Sequence, residues 1–175
     1  MNQKESFAKT GTAYIKNVLS EDQRKRFVDL MFQMKADGLA RHEGGADSFY
    51  TESFGGNHAE FEDALRLVQP AIEAELGVQM KPANSFARIY CNGGTLKPHM
   101  DREGLDYTLS ITLRHNLDFQ WPLWVIDNEG QTQYFNIKEG DGAMVLGRTQ
   151  THWRNNLFCR ADQHSVQLFM HWSKV

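Results

Sequence analysis

The hydrophobic period of the chain changes at Gly77, from helical spacing to the alternation of strands, and this change limits the possible folds more than any other feature. Before Gly77, two segments carry apolar residues on one helical face. These residues are Phe27, Leu30, Met31 and Met34 in the first segment and Phe61, Leu65, Val68 and Ile72 in the second. A capping box at Ser20–Gln23 begins the first helix. Gly38 and Gly77 end the two helices, and Pro70 predicts a kink or a break in the second.

After Gly77 the side chains alternate between polar and apolar, which is typical of short antiparallel strands. The predicted strands span residues 13–15 ahead of the helices and then 85–91, 107–113, 123–126, 132–137, 143–146 and 166–172. The clearest turns between them are the glycine-containing segments 92–94 and 139–142. Helices followed by many short strands predict an α+β fold. We expect a double-stranded β-helix, a jelly-roll or cupin-like barrel, flanked by two or three N-terminal helices.

No repeat, low-complexity stretch or linker divides the 175 residues. We therefore expect a single domain over 1–175, with a helical part at about 1–80 and a jelly-roll core at about 84–173. Residues 41–57 contain four glycines and many polar side chains, so they predict a long loop. A loop of this length in a compact domain is often functional, and we expect it to form a lid over a binding site.

Charge and composition do not indicate binding to nucleic acid or to a membrane. The net charge of −3 does not point to nucleic acid or to an anionic membrane surface. The apolar runs are far shorter than the roughly 20 residues that cross a bilayer. The first residues lack the apolar core of a signal peptide, and the two cysteines, Cys91 and Cys159, fit no zinc-finger spacing. We therefore expect a cytoplasmic protein with reduced thiols.

Three residues form a candidate metal site. His99 and Asp101 are two apart in an extended segment between strands, so both side chains project to the same side. A His-x-Asp tripeptide alone is often a surface accident, and the chain has seven histidines. Here the pair follows a glycine-rich turn at the edge of a strand, and His152 follows a Gly-Asp-Gly turn and the next strand. Two histidines and one carboxylate leave coordination positions open, as in non-heme iron(II) oxygenases.

Several short motifs together suggest a family. They are Phe86–Tyr90, Gly93-Gly94 and His99–Arg102, and Glu139–Gly142 ahead of His152. In this order and spacing the chain resembles the prolyl-4-hydroxylase-like branch of the Fe(II)/2-oxoglutarate-dependent dioxygenases. The resemblance covers most of residues 10–172. It implies that iron(II) is the metal and 2-oxoglutarate the cosubstrate, with no catalytic residue beyond the metal ligands.

The resemblance also implies residues that bind 2-oxoglutarate. Tyr90 would donate a hydrogen bond to it, and Thr112 would lie close by. The polar face of Thr108, Ser110 and Thr112 is thus either a lining of the barrel or an exposed sheet surface. The family usually places a basic residue about ten positions after the distal histidine, but this chain departs from that pattern. Arg160 is the first choice, unless it is a solvated loop residue. Arg154 follows closely because it is two residues from His152, and His164 would be a poor anchor.

The implied activity is that of an oxygenase, a hydroxylase acting on a small molecule, an amino acid or a peptide side chain. It would consume molecular oxygen and release succinate and CO2. Arg102 would orient Asp101 or contact the substrate, or would be an exposed loop residue. Histidines 42, 58, 115 and 171 are assigned no role. The alternatives are a cupin-like metalloprotein that does not use 2-oxoglutarate, a metal-free binding jelly roll and a zinc hydrolase.

Overall fold

A computed structural model of the chain describes residues 2–44 and 50–175 and shows a helical layer packed on an antiparallel barrel. The N-terminal elements are α1 (Gln3–Thr10), β1 (Thr12–Ile15), α2 (Glu21–Ala36), β2 (Arg41–His42), β3 (Tyr50–Gly56) and α3 (Ala59–Leu76). The later strands are β4 (Met80–His99), β5 (Tyr107–Asn116), β6 (Leu123–Ile126), β7 (Thr132–Phe135), β8 (Gly142–Val145), β9 (His152–Arg154) and β10 (His164–Lys174). None of the described helices is long and apolar enough to cross a membrane.

The strands form one antiparallel sheet in the order β1-β8-β5-β10-β4-β9-β6-β7, with β3 on β4 and β2 on β3. The long strand β4 connects the two sides of this barrel. Its first part, Met80–Tyr90, pairs with β10, and its last part, from Leu96 to His99, pairs with β9. The expected fold class, a double-stranded β-helix flanked by helices, is therefore confirmed.

The two faces of β5 are buried against different partners. Leu109, Ile111 and Leu113 belong to a large apolar core that also contains residues of all three helices. Thr108, Ser110 and Thr112 point to the other side, and each is no more than 3% exposed. Burying each large apolar side chain stabilises the fold by roughly 1.5–3 kcal/mol, so the helices hold this side of the barrel firmly. The polar face of β5 is thus an interior lining, and its interpretation as an exposed surface is wrong.

The structure differs from the sequence prediction mainly in the N-terminal half. The expected loop 41–57 contains β2 and β3, which pair with each other, and β3 also pairs with β4. The expected lid would include residues 45–49, which lie outside the described residues. Helix α1, which was not predicted, begins at a capping box in which Asn2 accepts from the amide of Glu5. Helix α3 continues through Pro70.

Candidate metal centre

Strand pairing brings the three candidate ligands together. His99 is the last residue of β4 and His152 the first of β9, and the two are register partners. Paired residues of neighbouring strands point to the same side, and the imidazole ring centres lie 4.4 Å apart. Asp101 follows two residues after His99, and its backbone N–H donates to the Gly147 carbonyl at 2.7 Å.

The ligand atoms converge within a small volume. Asp101 Oδ1 lies 3.4 Å from His99 Nε2 and 3.7 Å from His152 Nε2. One ligand atom from each of the three residues lies within 4.8 Å of the other two. In each imidazole Nδ1 is 2.9 Å from a backbone carbonyl, that of Lys97 or that of Gln150. An Nδ1–H that donates to a carbonyl leaves the lone pair on Nε2, which is the tautomer a metal ligand requires.

The electrostatics of the cluster favour an anionic Asp101 carboxylate and a neutral His152 imidazole. Burial alone would raise the pKa of Asp101, but the adjacent His99 and His152 imidazoles and a hydrogen bond from Thr108 together hold it well below its ordinary value. Burial lowers the pKa of His152, although the charge of Asp101 partly opposes this. Both shifts leave the side chains in the forms that coordinate a cation.

The second carboxylate oxygen of Asp101 has its own partner. Thr108 Oγ1 donates to Asp101 Oδ2 at 2.5 Å, so Oδ1 is the oxygen that faces the two Nε2 atoms. Gly147 packs against this pair, and a Cβ there would overlap with both Asp101 Oδ2 and Thr108 Oγ1. The turn before β9 therefore requires glycine at this position for steric reasons.

Arg154 lies inside the barrel near the cluster. It is the register partner of Leu96, and only 2% of it is exposed. Its guanidinium donates to the Trp121 carbonyl at 2.7 Å and to Gln167 Oε1 at 3.0 Å. Burial lowers its pKa to about 10, so it remains charged at neutral pH. Among the described residues no carboxylate forms an ion pair with it, and its Nε has no hydrogen-bond partner.

Tyr90 and Thr112, two other residues predicted to bind the cosubstrate, share contacts with Arg154. Tyr90 is fully buried and contacts the same Trp121 ring as Arg154, at 4.9 and 5.0 Å respectively. Thr112 Oγ1 lies 3.3 Å from Gln167 Oε1, which Arg154 also contacts. These three residues therefore surround one region of the barrel interior.

Arg160 and His164 lie elsewhere. The Arg160 side chain is 63% exposed and pairs with Asp118 at 2.5 Å and with Asp162 at 3.4 Å. His164 packs edge-on against Phe32 of α2, 5.1 Å between ring centres. The structure thus does not bring Arg160, the first choice of the sequence analysis, to the barrel interior, because its charge is matched at the surface.

A cavity of about 420 Å³ opens beside the three ligands. Its lining includes, besides the ligands, Asn84, Phe86, Arg88, Arg102, Thr108, Ser110, Phe169 and His171. Arg102 is an exposed residue of this lining. Asn84, Arg88 and His171 were not singled out as site residues from the sequence. A usable signal exists for His171, since Gln167, Phe169 and His171 alternate along β10 with apolar residues of the core.

Comparison with known proteins gives the class of fold first. No family model and no curated protein matches the sequence. The solved structures that match over nearly the whole chain include 2-oxoglutarate-dependent enzymes, so the fold is that of the Fe(II)/2-oxoglutarate oxygenases.

Three examples show the extent of the similarity. A prolyl-4-hydroxylase of Pseudomonas putida has a TM-score of 0.74 and 12% identity, over 99% of this chain and 97% of that one. The α-ketoglutarate-dependent carbocyclase SnoK of nogalamycin biosynthesis has a TM-score of 0.78 and 12% identity, over 98% and 83%. HygX of Streptomyces hygroscopicus, solved with nickel and 2-oxoglutarate, has a TM-score of 0.70 and 10% identity, over 99% and 86%. The resemblance inferred from the motifs is therefore confirmed at the level of the fold.

Proposed function

We propose that this protein is an iron(II)- and 2-oxoglutarate-dependent oxygenase in which His99, Asp101 and His152 bind the metal. One observation carries the proposal: the His-Asp-His cluster occurs in the same barrel interior as the buried, unmatched charge of Arg154. The cluster accounts for a metal ion and the guanidinium for an anionic cosubstrate. Either feature alone would be compatible with several other functions.

The donor set fits iron(II). Two imidazole nitrogens and one carboxylate oxygen converge on one point, and this set leaves positions for further ligands. The carbonyls of Lys97 and Gln150 fix the orientation of the two rings. The Asp101 carboxylate gives the site an anionic ligand, which suits a divalent cation.

The surroundings of Arg154 fit the distal carboxylate of 2-oxoglutarate. A buried charge without a counter-ion costs several kcal/mol, and a carboxylate ligand would remove most of that cost. A planar guanidinium also matches a carboxylate through two parallel hydrogen bonds. Tyr90 and Thr112 lie around the same region and would complete the polar contacts of the cosubstrate.

When bound, iron(II) and 2-oxoglutarate would supply the activation of molecular oxygen and the oxidation of a substrate C–H bond, with succinate and CO2 as coproducts. The protein's own contribution is to hold the metal ligands rigidly and to offer the buried Arg154 guanidinium to the cosubstrate end. We expect hydroxylation of a small molecule, an amino acid or a peptide side chain. Arg102, at the exposed part of the cavity lining, remains a candidate contact for that substrate.

The principal alternative is a cupin-like metalloprotein that does not use 2-oxoglutarate. Such a protein would retain the metal cluster but would bear the full cost of the buried charge of Arg154 without an anionic ligand. The oxygenase is therefore favoured. We also propose a cytoplasmic location, which the two free thiols of Cys91 and Cys159 support.

The test is iron(II)-dependent formation of succinate from 2-oxoglutarate by the purified protein. We expect turnover by the natural sequence and its loss in Asp101→Ala, because this change removes the carboxylate ligand. Asp118→Ala is the matched control, since it removes a surface carboxylate that lies outside the metal cluster and forms an ion pair with Arg160. Succinate formation that continues unchanged in Asp101→Ala would contradict the proposed function.

A further inference from the structure

One wall of the cavity is not explained by binding of the metal or of 2-oxoglutarate. Asn84 on β4 and His171 on β10 are register partners, and both line the cavity. His171 is also the register partner of Thr108 on β5, the residue that donates to Asp101. The Asn84–His171 pair is therefore next to Thr108, whose side chain contacts the proposed metal ligand Asp101. In the proposed oxygenase this is where a substrate would have to lie.

The two side chains have hydrogen-bonding capacity that the protein does not use. His171 Nδ1 lies 3.3 Å from the Asn84 backbone carbonyl, so the ring presents Nε2 as an acceptor. Within the described part of the chain, no residue bonds to this Nε2 or to the side-chain amide of Asn84, whose Oδ1 is buried. Buried polar groups in native proteins are nearly always paired, so the unpaired Asn84 Oδ1 beside the cavity points to a ligand.

The wall carries no net charge. Burial lowers the pKa of His171 to about 4, so the imidazole is neutral at physiological pH. The nearby guanidinium of Arg88 is matched by the Glu43 carboxylate, with Nε and Oε2 2.7 Å apart. A charged group placed against this wall would lose its hydration and gain no counter-ion from Asn84, His171 or the matched Arg88, which is unfavourable.

Two aromatic rings continue the same wall. Phe86 and Phe169 are register partners two residues further along β4 and β10, and both line the cavity. They enclose the guanidinium of Arg88, which lies 4.7 Å from the first ring and 5.2 Å from the second. The wall thus offers uncharged hydrogen-bonding groups next to an apolar surface.

We propose that Asn84 and His171 select the substrate, and that it is a small molecule with an uncharged hydrogen-bonding group beside an apolar body. A hydroxyl, a carboxamide or a ring N–H would meet this description. The cavity of about 420 Å³ suits such a molecule. The inference rests on the proposed function, because it takes the reacting position to be beside His99, Asp101 and His152.

The test compares fragments of equal size and different charge. One set is benzamide, benzoate and benzamidinium, and the other is pentanamide, pentanoate and pentylammonium. Binding is measured by calorimetry and ligand-detected NMR on protein loaded with zinc(II) and saturating 2-oxoglutarate, which keeps the carboxylates away from Arg154. We expect the neutral amide to bind about tenfold more tightly than either charged relative, since an unpaired buried group penalises the wrong ligand.

Substitutions at Asn84 and His171 test whether these two residues cause the preference for the neutral amide. Asn84→Leu and His171→Phe should each weaken amide binding by about tenfold, whereas His171→Gln, which retains an acceptor, should preserve most of it. Asn156→Leu is the matched control, because Asn156 is exposed and outside the cavity lining. Zinc and 2-oxoglutarate binding should stay unchanged in all four variants.

The inference is overturned by tighter binding of a charged fragment, by no binding of either amide, or by amide binding that Asn84→Leu and His171→Phe leave intact. Binding of the capped peptide acetyl-Gly-Pro-Gly-amide in place of the small amides would also overturn it, in favour of a peptide substrate. Failure of the proposed function looks different, since the natural sequence would then fail to take up the metal or 2-oxoglutarate at all.

Discussion

Two arginines near the C-terminus have the same side chain and opposite surroundings. Arg154 is buried, and none of the ion pairs found among the described residues includes it. Arg160 is exposed and has two carboxylate partners. The residue number alone does not distinguish them, since both follow His152 by a few positions. The difference arises because Arg154 is on the same strand face as His152 and Arg160 is in a loop.

This contrast predicts that the same substitution has a large effect on the 2-oxoglutarate requirement at Arg154 and none at Arg160. Arg154→Met should raise the 2-oxoglutarate concentration at half-maximal succinate formation by about 10- to 100-fold, since a hydrogen-bonded buried charge is worth roughly 1.5–3 kcal/mol. It should not lower the thermal stability of the cosubstrate-free protein, because it removes an unmatched buried charge. Arg160→Met is the control and should leave the 2-oxoglutarate requirement unchanged. A raised requirement in Arg160→Met with no change in Arg154→Met would assign the anchor to the other arginine.

At the scale of elements, strand β5 and the turn before β9 together hold Asp101. Thr108 of β5 occupies one carboxylate oxygen, and the Gly147 carbonyl accepts the Asp101 amide. The two contacts leave Oδ1 for the metal. Positioning of this kind matters because partners of metal ligands typically contribute about 10- to 100-fold to metal affinity.

We therefore expect Thr108→Val to weaken zinc(II) and cobalt(II) binding by about 10- to 100-fold while the fold is retained. Gly147→Ala should have a similar effect by displacing the carboxylate. The measurement is competition titration against a chromophoric chelator, with circular dichroism to check the fold. Thr149→Val, an exposed threonine in the same turn, is the control. Unchanged metal affinity in Thr108→Val would show that Asp101 does not depend on this hydrogen bond.

The sequence predicted elements well where local pattern decides them. The faces of α2 and α3 follow from their apolar spacing, and His99 and Asp101 converge because they are two apart in an extended segment. The sequence did not indicate α1, because Phe7 is its only buried residue and it has no apolar face to detect. The alternation of side chains in β5 could not show that both of its faces are buried. Helices cover one face, and the other faces the barrel interior.

Features that depend on strand pairing could not be predicted from the sequence. β4 was expected at 85–91 but runs from Met80 to His99, because β10 pairs with its beginning and β9 with its end. The position of Arg154 follows from its pairing with Leu96, and that of Asn84 from its pairing with His171. No local pattern in a single sequence contains these registers.

At the scale of the whole molecule, one apolar core joins the helices to the barrel. Residues of α1, α2 and α3 belong to the same buried cluster as residues of β4, β5 and β10. This supports the proposal that residues 1–175 form a single domain. Changes in the charge of buried groups should therefore alter the stability of the whole chain and not only that of the cavity.

Three buried or partly buried histidines predict how that stability depends on pH. Burial lowers the pKa values of His152, His164 and His171, the last to about 4. In the unfolded chain these groups titrate near 6.5, so between about pH 6.5 and pH 4 the unfolded state binds more protons than the folded state. The free energy of unfolding should therefore fall as the pH decreases through this window. The lowered pKa of Asp101 adds to the loss only below about pH 4, where an unfolded aspartate is protonated.

We expect the loss due to His171 between pH 7 and pH 4.5 to be about 2–3 kcal/mol. The measurement is urea unfolding of the natural sequence and of His171→Phe at both pH values. A chelator is present throughout, because metal binding would add its own proton dependence. The variant should lose less stability than the natural sequence on acidification, since it lacks one group that must remain neutral. Equal losses in the two proteins would mean that His171 titrates alike in the folded and unfolded states, contrary to its buried position between β4 and β5.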